Sequence, residues 1–216
     1  MLAGIRDRVS FDLLAPHYTW MERVLAGPRL QRARTVWIDQ LANCDRILIA
    51  GVGHGHFLRA CAKRFPRAQI VSVDASAGML NRARAAVPNH PRFEFVHASF
   101  PQWRPPAHSF DAVVTHFFLD CFPPRELGEV IAGLSESLRT RAHWLVTDFS
   151  IPARGWKRQR ARAIHSAMYA FFRPIAGVRA KRVTPPDDLL RREGFVLTGR
   201  AHREWGLIQS DIWSRG

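Results

Sequence analysis

Three glycines at alternate positions, Gly51, Gly53 and Gly55, end a short apolar run and are followed at once by helix-forming residues. Lacking Cβ atoms, they take backbone angles closed to other residues and let a ligand approach the main chain. The free N–H groups and positive dipole end of the next helix favour an anionic or polar group there. An acid, Asp74, closes a second strand-like run, Gln69 to Val73. At the tip of a neighbouring strand such a carboxylate accepts both hydroxyls of a ribose, so turn and acid together read as a cradle for a nucleoside cofactor. The dinucleotide fingerprint G-x-G-x-x-G needs its third glycine where this chain has His56; the shorter spacing to Gly55 disfavours a nicotinamide oxidoreductase.

Other chemistry-bearing residues stand at expected strand ends. His116 follows the apolar run Asp111 to Val114, and an imidazole suits a base that takes a proton near neutral pH. Asp120, one helical turn on, is expected to cap or brace the next helix. Asp148 ends the run His143 to Asp148, placing it on the substrate side or in a solvated loop. The ten histidines show no H-E-x-x-H or comparable cluster, so no metal is expected. Cys44, Cys61 and Cys121 are far apart, form no C-x-x-C pair and read as small core residues.

These residues need a scaffold of alternating strands and helices. Helices are expected from His56 to Arg64, stopped by Pro66, from Ala77 to Val87, and from Pro123-Pro124 to about Leu138. A third strand spans Arg92 to Val96, a proline-rich loop Pro101 to Pro106, and two closing strands Gly194 to Arg200 and Leu207 to Ser214. The alternation predicts parallel β-α-β units, whose ligands lie beyond the carboxyl ends of the strands. Residues 5–42 read as a helical cap with breaks at Pro16 and Gly27-Pro28.

The 216 residues fit one domain, 1–216, with a cap over 1–42 and an α/β core over 43–216. No stretch matches the roughly 20 apolar residues of a spanning helix and no signal-peptide core is visible, which points to the cytoplasm. The net charge of +14 is nearly all arginine, since lysine occurs only at 63, 157 and 181. A stretch without acids, centred on a basic amphipathic helix at about 154–173, interleaves Arg154, Arg158, Arg160, Arg162 and Arg173 with Trp156, Ile164, Met168, Phe171 and Phe172. It reads either as a sheet-covering helix with a basic edge or as an element that contacts an anionic membrane surface.

Gly51, Gly53 and Gly55, with Val71-Ser72-Val73-Asp74-Ala75-Ser76-Ala77-Gly78-Met79-Leu80, resemble the first two motifs of the class I S-adenosylmethionine-dependent methyltransferases. The second is close to the "VDxSxxML" form of small-molecule members. Phe11 to Trp20, FDLLAPHYTW, resembles the "xLAPxYD" segment of the ubiquinone/menaquinone-biosynthesis type, and Arg173 to Gly177 resembles the end of a helix in that type. Ser109 to Val114 and Trp144 to Phe149 resemble the family's fourth and fifth strands.

The resemblance implies an α/β, Rossmann-like, mostly parallel seven-stranded sheet with an antiparallel C-terminal strand and an N-terminal helical cap. It implies S-adenosylmethionine as cofactor, with S-adenosylhomocysteine as product, held by Gly51, Gly53, Gly55, Asp74 and Ala75, with Ser99 and Phe100 beside the adenine. His116 and Tyr18 would line the transfer site for a small, lipophilic or aromatic acceptor. Two positions depart from the pattern: Ile49 replaces the usual acid before the first glycine, and Ser99 stands where an acid often follows the third strand. The charge offers RNA as an alternative acceptor, although Thr115-His116-Phe117-Phe118 is not the N/D-P-P-Y/F loop used on base amines. A non-catalytic binding protein is the other alternative.

Overall fold

The computed structural model describes residues 27–176 and 184–216, with side chains described except at 27–28 and 167–176. Seven strands form one sheet: β1 (Arg46–Ala50), β2 (Gln69–Asp74), β3 (Phe93–His97), β4 (Phe110–His116), β5 (Leu138–Phe149), β6 (Val196–Arg203) and β7 (Ile208–Arg215). Their order is β3-β2-β1-β4-β5-β7-β6. β1 to β5 pair in parallel, and β7 runs antiparallel to both β5 and β6, as the sequence motifs imply. The chain leaves β1 for β2 and β3, then returns to β4 on the other side of β1. This reversal opens a crevice at the carboxyl ends of β1 and β4, where Gly51 and His116 stand.

The helices are α1 (Gly27–Thr35), α2 (His56–Arg64), α3 (Ala77–Ala85), α4 (Pro124–Glu136), α5 (Gly155–Ala176) and α6 (Asp187–Arg192). The strands read as nearly continuous apolar runs because the sheet is covered on both faces. Ile47, Ile49, Ile70, Ala112 and Val114 pack with Phe57, Leu58 and Cys61 of α2 and Leu80 and Ala83 of α3. On the other face Leu48, Val71, Val113, Trp144 and Val146 pack with Leu127, Val130 and Ile131 of α4 and Leu190 of α6. Local signals fix the starts of two helices. The Ser76 side chain caps α3 by accepting from the Met79 N–H at 3.1 Å, and a proline opens α4.

Most boundaries shift by one to three residues from the sequence reading, and β5 by more. β5 begins at Leu138 instead of His143, because Arg139, Thr140 and Arg141 interrupt the apolar pattern while Leu138 pairs with Phe110 across an irregularity. Gly27-Pro28, where the sequence reading places a break, opens α1, since a proline in the first turn gives up only an N–H without a helical partner. The basic helix runs from Gly155 to Ala176, slightly beyond the expected bounds. The "xLAPxYD" segment, including His17 and Tyr18, lies outside the described residues. Cys44 and Cys61 are buried, and desolvation, with Asp111 and Asp45 nearby, pushes the Cys44 thiol up to about 12. Among the described residues no helix is long and apolar enough to cross a membrane.

Candidate active site

The turn after β1 is tied to the tip of β2 before any ligand is considered. The N–H groups of Gly51 and Val52 both donate to the Val73 carbonyl, at 2.9 and 3.2 Å. Gly51, Gly53 and Gly55 all have left-handed backbone angles, with φ of 72°, 54° and 75°, so glycine is needed at each. The Gly53 N–H donates to Asp74 Oδ2 at 3.0 Å, and the Ser76 N–H donates to Asp74 Oδ1 at 3.0 Å. Burial raises the Asp74 carboxyl above its ordinary value, while these N–H bonds and His97 pull it back down. A carboxylate has about four acceptor positions, and the backbone N–H groups of Gly53, Ser76 and Ala75 engage it here, so capacity remains for a ribose hydroxyl. Space is available too: a Cβ built at Gly53 meets nothing within 4 Å.

The chain beyond β4 folds back over this turn. Phe117 takes φ 54°, and its N–H donates to the Thr147 carbonyl at 2.6 Å. The next N–H, of Phe118, donates to Asp148 Oδ1 at 3.0 Å. The Phe118 ring then closes over the first glycine, with Cδ2 2.5 Å from where a Cβ on Gly51 would lie. Phe118 also meets Phe100 and Phe122 edge to face, at 5.5 and 5.0 Å.

Two expectations for the carboxylates here are corrected. Asp148 is not in a solvated loop: it is buried, and its Oδ2 has no hydrogen-bond partner. Asp120 does not cap α4, whose N-cap is Pro123 without a side-chain cap bond; it sits in the short 3-10 turn Leu119–Cys121, where Cys121 Sγ lies 3.6 Å from its Oδ1. Burial raises both carboxyls above their ordinary value, and the Asp120 carboxyl adds to the shift of Asp148.

An acid whose pKa is raised by folding stabilises the fold below its ordinary value and loses that contribution as pH rises through the raised value. Asp148→Asn keeps the acceptor for Phe118 and removes the buried charge. It is expected to stabilise the protein by about 1–2 kcal/mol at pH 8 and by little at pH 4.5. Thermal melting at the two pH values checks this; an equal shift at both would assign the effect to packing instead.

On the α2 side of β4, His116 is buried against Phe57, edge to face at 4.5 Å, and neither ring nitrogen has a hydrogen-bond partner. Burial, helped by the nearby Arg34 guanidinium, holds its pKa well below 6.5, so the imidazole is neutral near pH 7. Arg34 lies 5.0 Å over the Phe117 ring, Phe117 meets Phe149 at 5.1 Å, and Phe149 meets His165 of α5 at 5.7 Å. His165 is likewise buried with both nitrogens unpartnered, and burial lowers its pKa. A buried imidazole, His165, thus closes one end of the Phe117–Phe149 ring pair, while His116 ends β4 against Phe57.

Of the residues named from the sequence, Gly51, Gly53, Gly55 and Asp74 come together directly. Ala75 follows on the same rim, where its carbonyl lies 3.0 Å from His97 Nε2. Ser99 is exposed just past β3, and Phe100 is half-buried with Trp103 edge to face at 5.4 Å. Ile49 is a core residue of β1 and cannot hold a charged group. Arg34 and His165 escaped notice in the sequence. Arg34 lay among the many arginines, and His165 was obscured by larger apolar neighbours on its helix. No group of three or more His, Cys, Asp or Glu side chains suited to a metal occurs among the described residues.

A sheet of this order with one antiparallel strand, a left-handed glycine turn and an acid at the adjoining strand tip define the class I S-adenosylmethionine-dependent methyltransferase fold. Residues 47–141 match the methyltransferase domain family. The chain is 32% identical over 155 residues to the ubiquinone/menaquinone biosynthesis C-methyltransferase UbiE of Syntrophotalea carbinolica, covering 69% of this chain and 63% of that protein. It is 32% identical over 95 residues to the trans-aconitate 2-methyltransferase of Rhodopseudomonas palustris, covering 44% and 35% of the two. The chain thus spans less than two thirds of either relative. Its fold is similar to an S-adenosylmethionine-dependent methyltransferase from Mesorhizobium loti, with a TM-score of 0.67, 20% identity and coverage of 88% and 100%. The chain thus has the fold of the class I S-adenosylmethionine-dependent methyltransferases and matches a methyltransferase domain family over residues 47–141, and its glycine turn and Asp74 fit that cofactor.

Proposed function

We propose that this chain transfers a methyl group from S-adenosylmethionine to a small lipophilic or aromatic acceptor held at the carboxyl ends of β4 and β5. The observation that carries the reading is the hydrogen bond from the Gly53 N–H to Asp74, which joins a ligand-ready turn to a carboxylate with acceptor positions to spare. When bound, the cofactor supplies a methyl carbon already activated by its sulfonium. What remains for the protein is positioning, together with removal of a proton from the acceptor.

In this reading Asp74 orients the ribose, and Ser99 and Phe100 lie beside the adenine. Phe118 separates the glycine turn from the Asp120 and Asp148 carboxyls. Phe117 and Phe149 give the acceptor an apolar wall. His116, neutral and unpartnered, receives the acceptor's proton at a ring nitrogen. The names of the two relatives, one acting in quinone biosynthesis and one on a tricarboxylate, support a small-molecule acceptor, and the ring cluster favours an aromatic one.

The test uses S-adenosylmethionine with a labelled methyl and a panel of hydroquinones and phenols. Label is expected in an acceptor, and His116→Asn is expected to slow transfer roughly a hundredfold while leaving S-adenosylhomocysteine affinity unchanged. Failure of the protein to bind S-adenosylhomocysteine by calorimetry would sink the reading. Full activity in the variant would remove only the role of His116.

A further inference from the structure

Four large apolar side chains are strongly exposed among the described residues: Ile151, Trp156, Val196 and Trp205, at 40%, 59%, 66% and 56%. Three of them belong to segments at one rim of the sheet. Ile151 follows β5, Trp156 opens α5, and Trp205 lies in the short turn Glu204–Gly206, next to Ile208, which pairs with Phe149 at the carboxyl end of β5. The two indoles lie 6.4 Å apart, and the Arg160 guanidinium sits 4.8 Å over the Trp205 ring. The turn holds Glu204 and Trp205 at φ 52° and 56°, a left-handed conformation that non-glycine residues adopt at a cost. Strained backbone is thus spent on an indole that points into water.

Arginines surround this apolar patch. Arg29 and Arg32 of α1 and Arg203 line a cleft of about 430 Å³ beside Trp205, in which Glu204 is paired with Arg29 at 3.0 Å. Arg154, Arg158 and Arg162 line a second cleft of about 470 Å³ beside Trp156. From Ser150 to Pro186 the sequence contains no Asp or Glu. An apolar centre in a cationic ring needs a partner that is apolar inside and anionic at its surface.

We propose that this rim docks on an anionic phospholipid bilayer, with Trp156, Trp205 and Ile151 in the interfacial layer and the arginines on lipid phosphates. A second copy of the chain fits poorly, because a net charge of +14 would bring two arginine rings together. RNA fits less well, because Arg160 already covers one face of Trp205 and Ile151 has no ring for bases to stack on. Docking in this orientation sets the acceptor end of the sheet against the lipid, the phase in which lipophilic molecules concentrate. The surface stands on observations separate from the glycine turn, so it holds or fails independently of the methyl-transfer reading.

The experiment is flotation of the full chain with vesicles of mixed phosphatidylglycerol and phosphatidylcholine, and with phosphatidylcholine alone. Binding is expected on the anionic vesicles only, falling steeply with added salt. Trp156→Ala/Trp205→Ala is expected to lower partitioning roughly tenfold or more with unchanged circular dichroism, and Arg158→Glu/Arg162→Glu to lower it comparably. The proposal is overturned by absence of binding to anionic vesicles at low salt, or by a double tryptophan variant that floats as well as the parent. It is equally overturned if a single-stranded RNA oligomer releases the parent protein from vesicles and the tryptophan variant loses RNA affinity in parallel.

Discussion

Asp74→Ala is expected to weaken S-adenosylhomocysteine binding by about 1–3 kcal/mol, or roughly five- to more than a hundredfold. The carboxylate accepts from the Gly53 and Ser76 N–H groups and, in the proposed complex, would also accept from the ribose diol. Alanine therefore removes the ribose contacts and also releases the turn that positions the rest of the cofactor. Asp74→Asn separates the two effects, because an amide oxygen still satisfies one N–H but carries no charge. A smaller loss in Asn than in Ala is the expected pattern. Acid should mimic the variant: burial raises the Asp74 carboxyl, so affinity falls as pH drops through that raised value. Calorimetry across a pH series reads both effects, and unchanged affinity in the alanine variant would refute the assignment of Asp74.

Gly55→Ala is expected to destabilise the fold by about 2–4 kcal/mol, far more than Gly53→Ala at about 1–2 kcal/mol. Both glycines have left-handed angles, so both substitutions incur backbone strain. They differ in their surroundings. A Cβ at Gly53 meets open space, whereas at Gly55 it would lie 2.8 Å from the Ala83 Cα and 3.2 Å from the Ala83 and Ala86 Cβ atoms. Gly55 is the N-cap of α2, and Ala83 is in α3, so the clash falls on backbone that cannot swing aside. Urea unfolding of the two variants gives the comparison. Equal losses would mean that the α2 start and α3 are less tightly pressed than the geometry states.

Much of this architecture could be read from the chain because its signals are local. Gly51, Gly53 and Gly55 declare their backbone angles by lacking Cβ atoms, Pro123-Pro124 announces a helix start, and the double-sided strands appear as apolar runs. Features created by distant contacts were less legible. Asp148 ends a strand and has the sequence context of a loop residue; only the left-handed step at Phe117 brings the Phe118 N–H onto it and buries it. In α5 the described buried positions are Ala161 and His165, a small residue and a polar one, which no large apolar side chain marks in the sequence. Ile49 looked like the loss of a functional acid. In three dimensions it is one of the core contacts between β1 and the α2–α3 layer.

The reversed course of β7 has a practical use. It carries Arg215 to the amino pole of the sheet, where its guanidinium donates to the Ser135 and Leu138 carbonyls and pairs with Ser135 Oγ at 3.0 Å. That pole lies about 24 Å along the strand from Ile208. A dye or surface tether coupled next to Arg215 would sit a strand's length from the glycine turn and the tryptophan rim, so binding at either can be followed on an anchored molecule with both left clear.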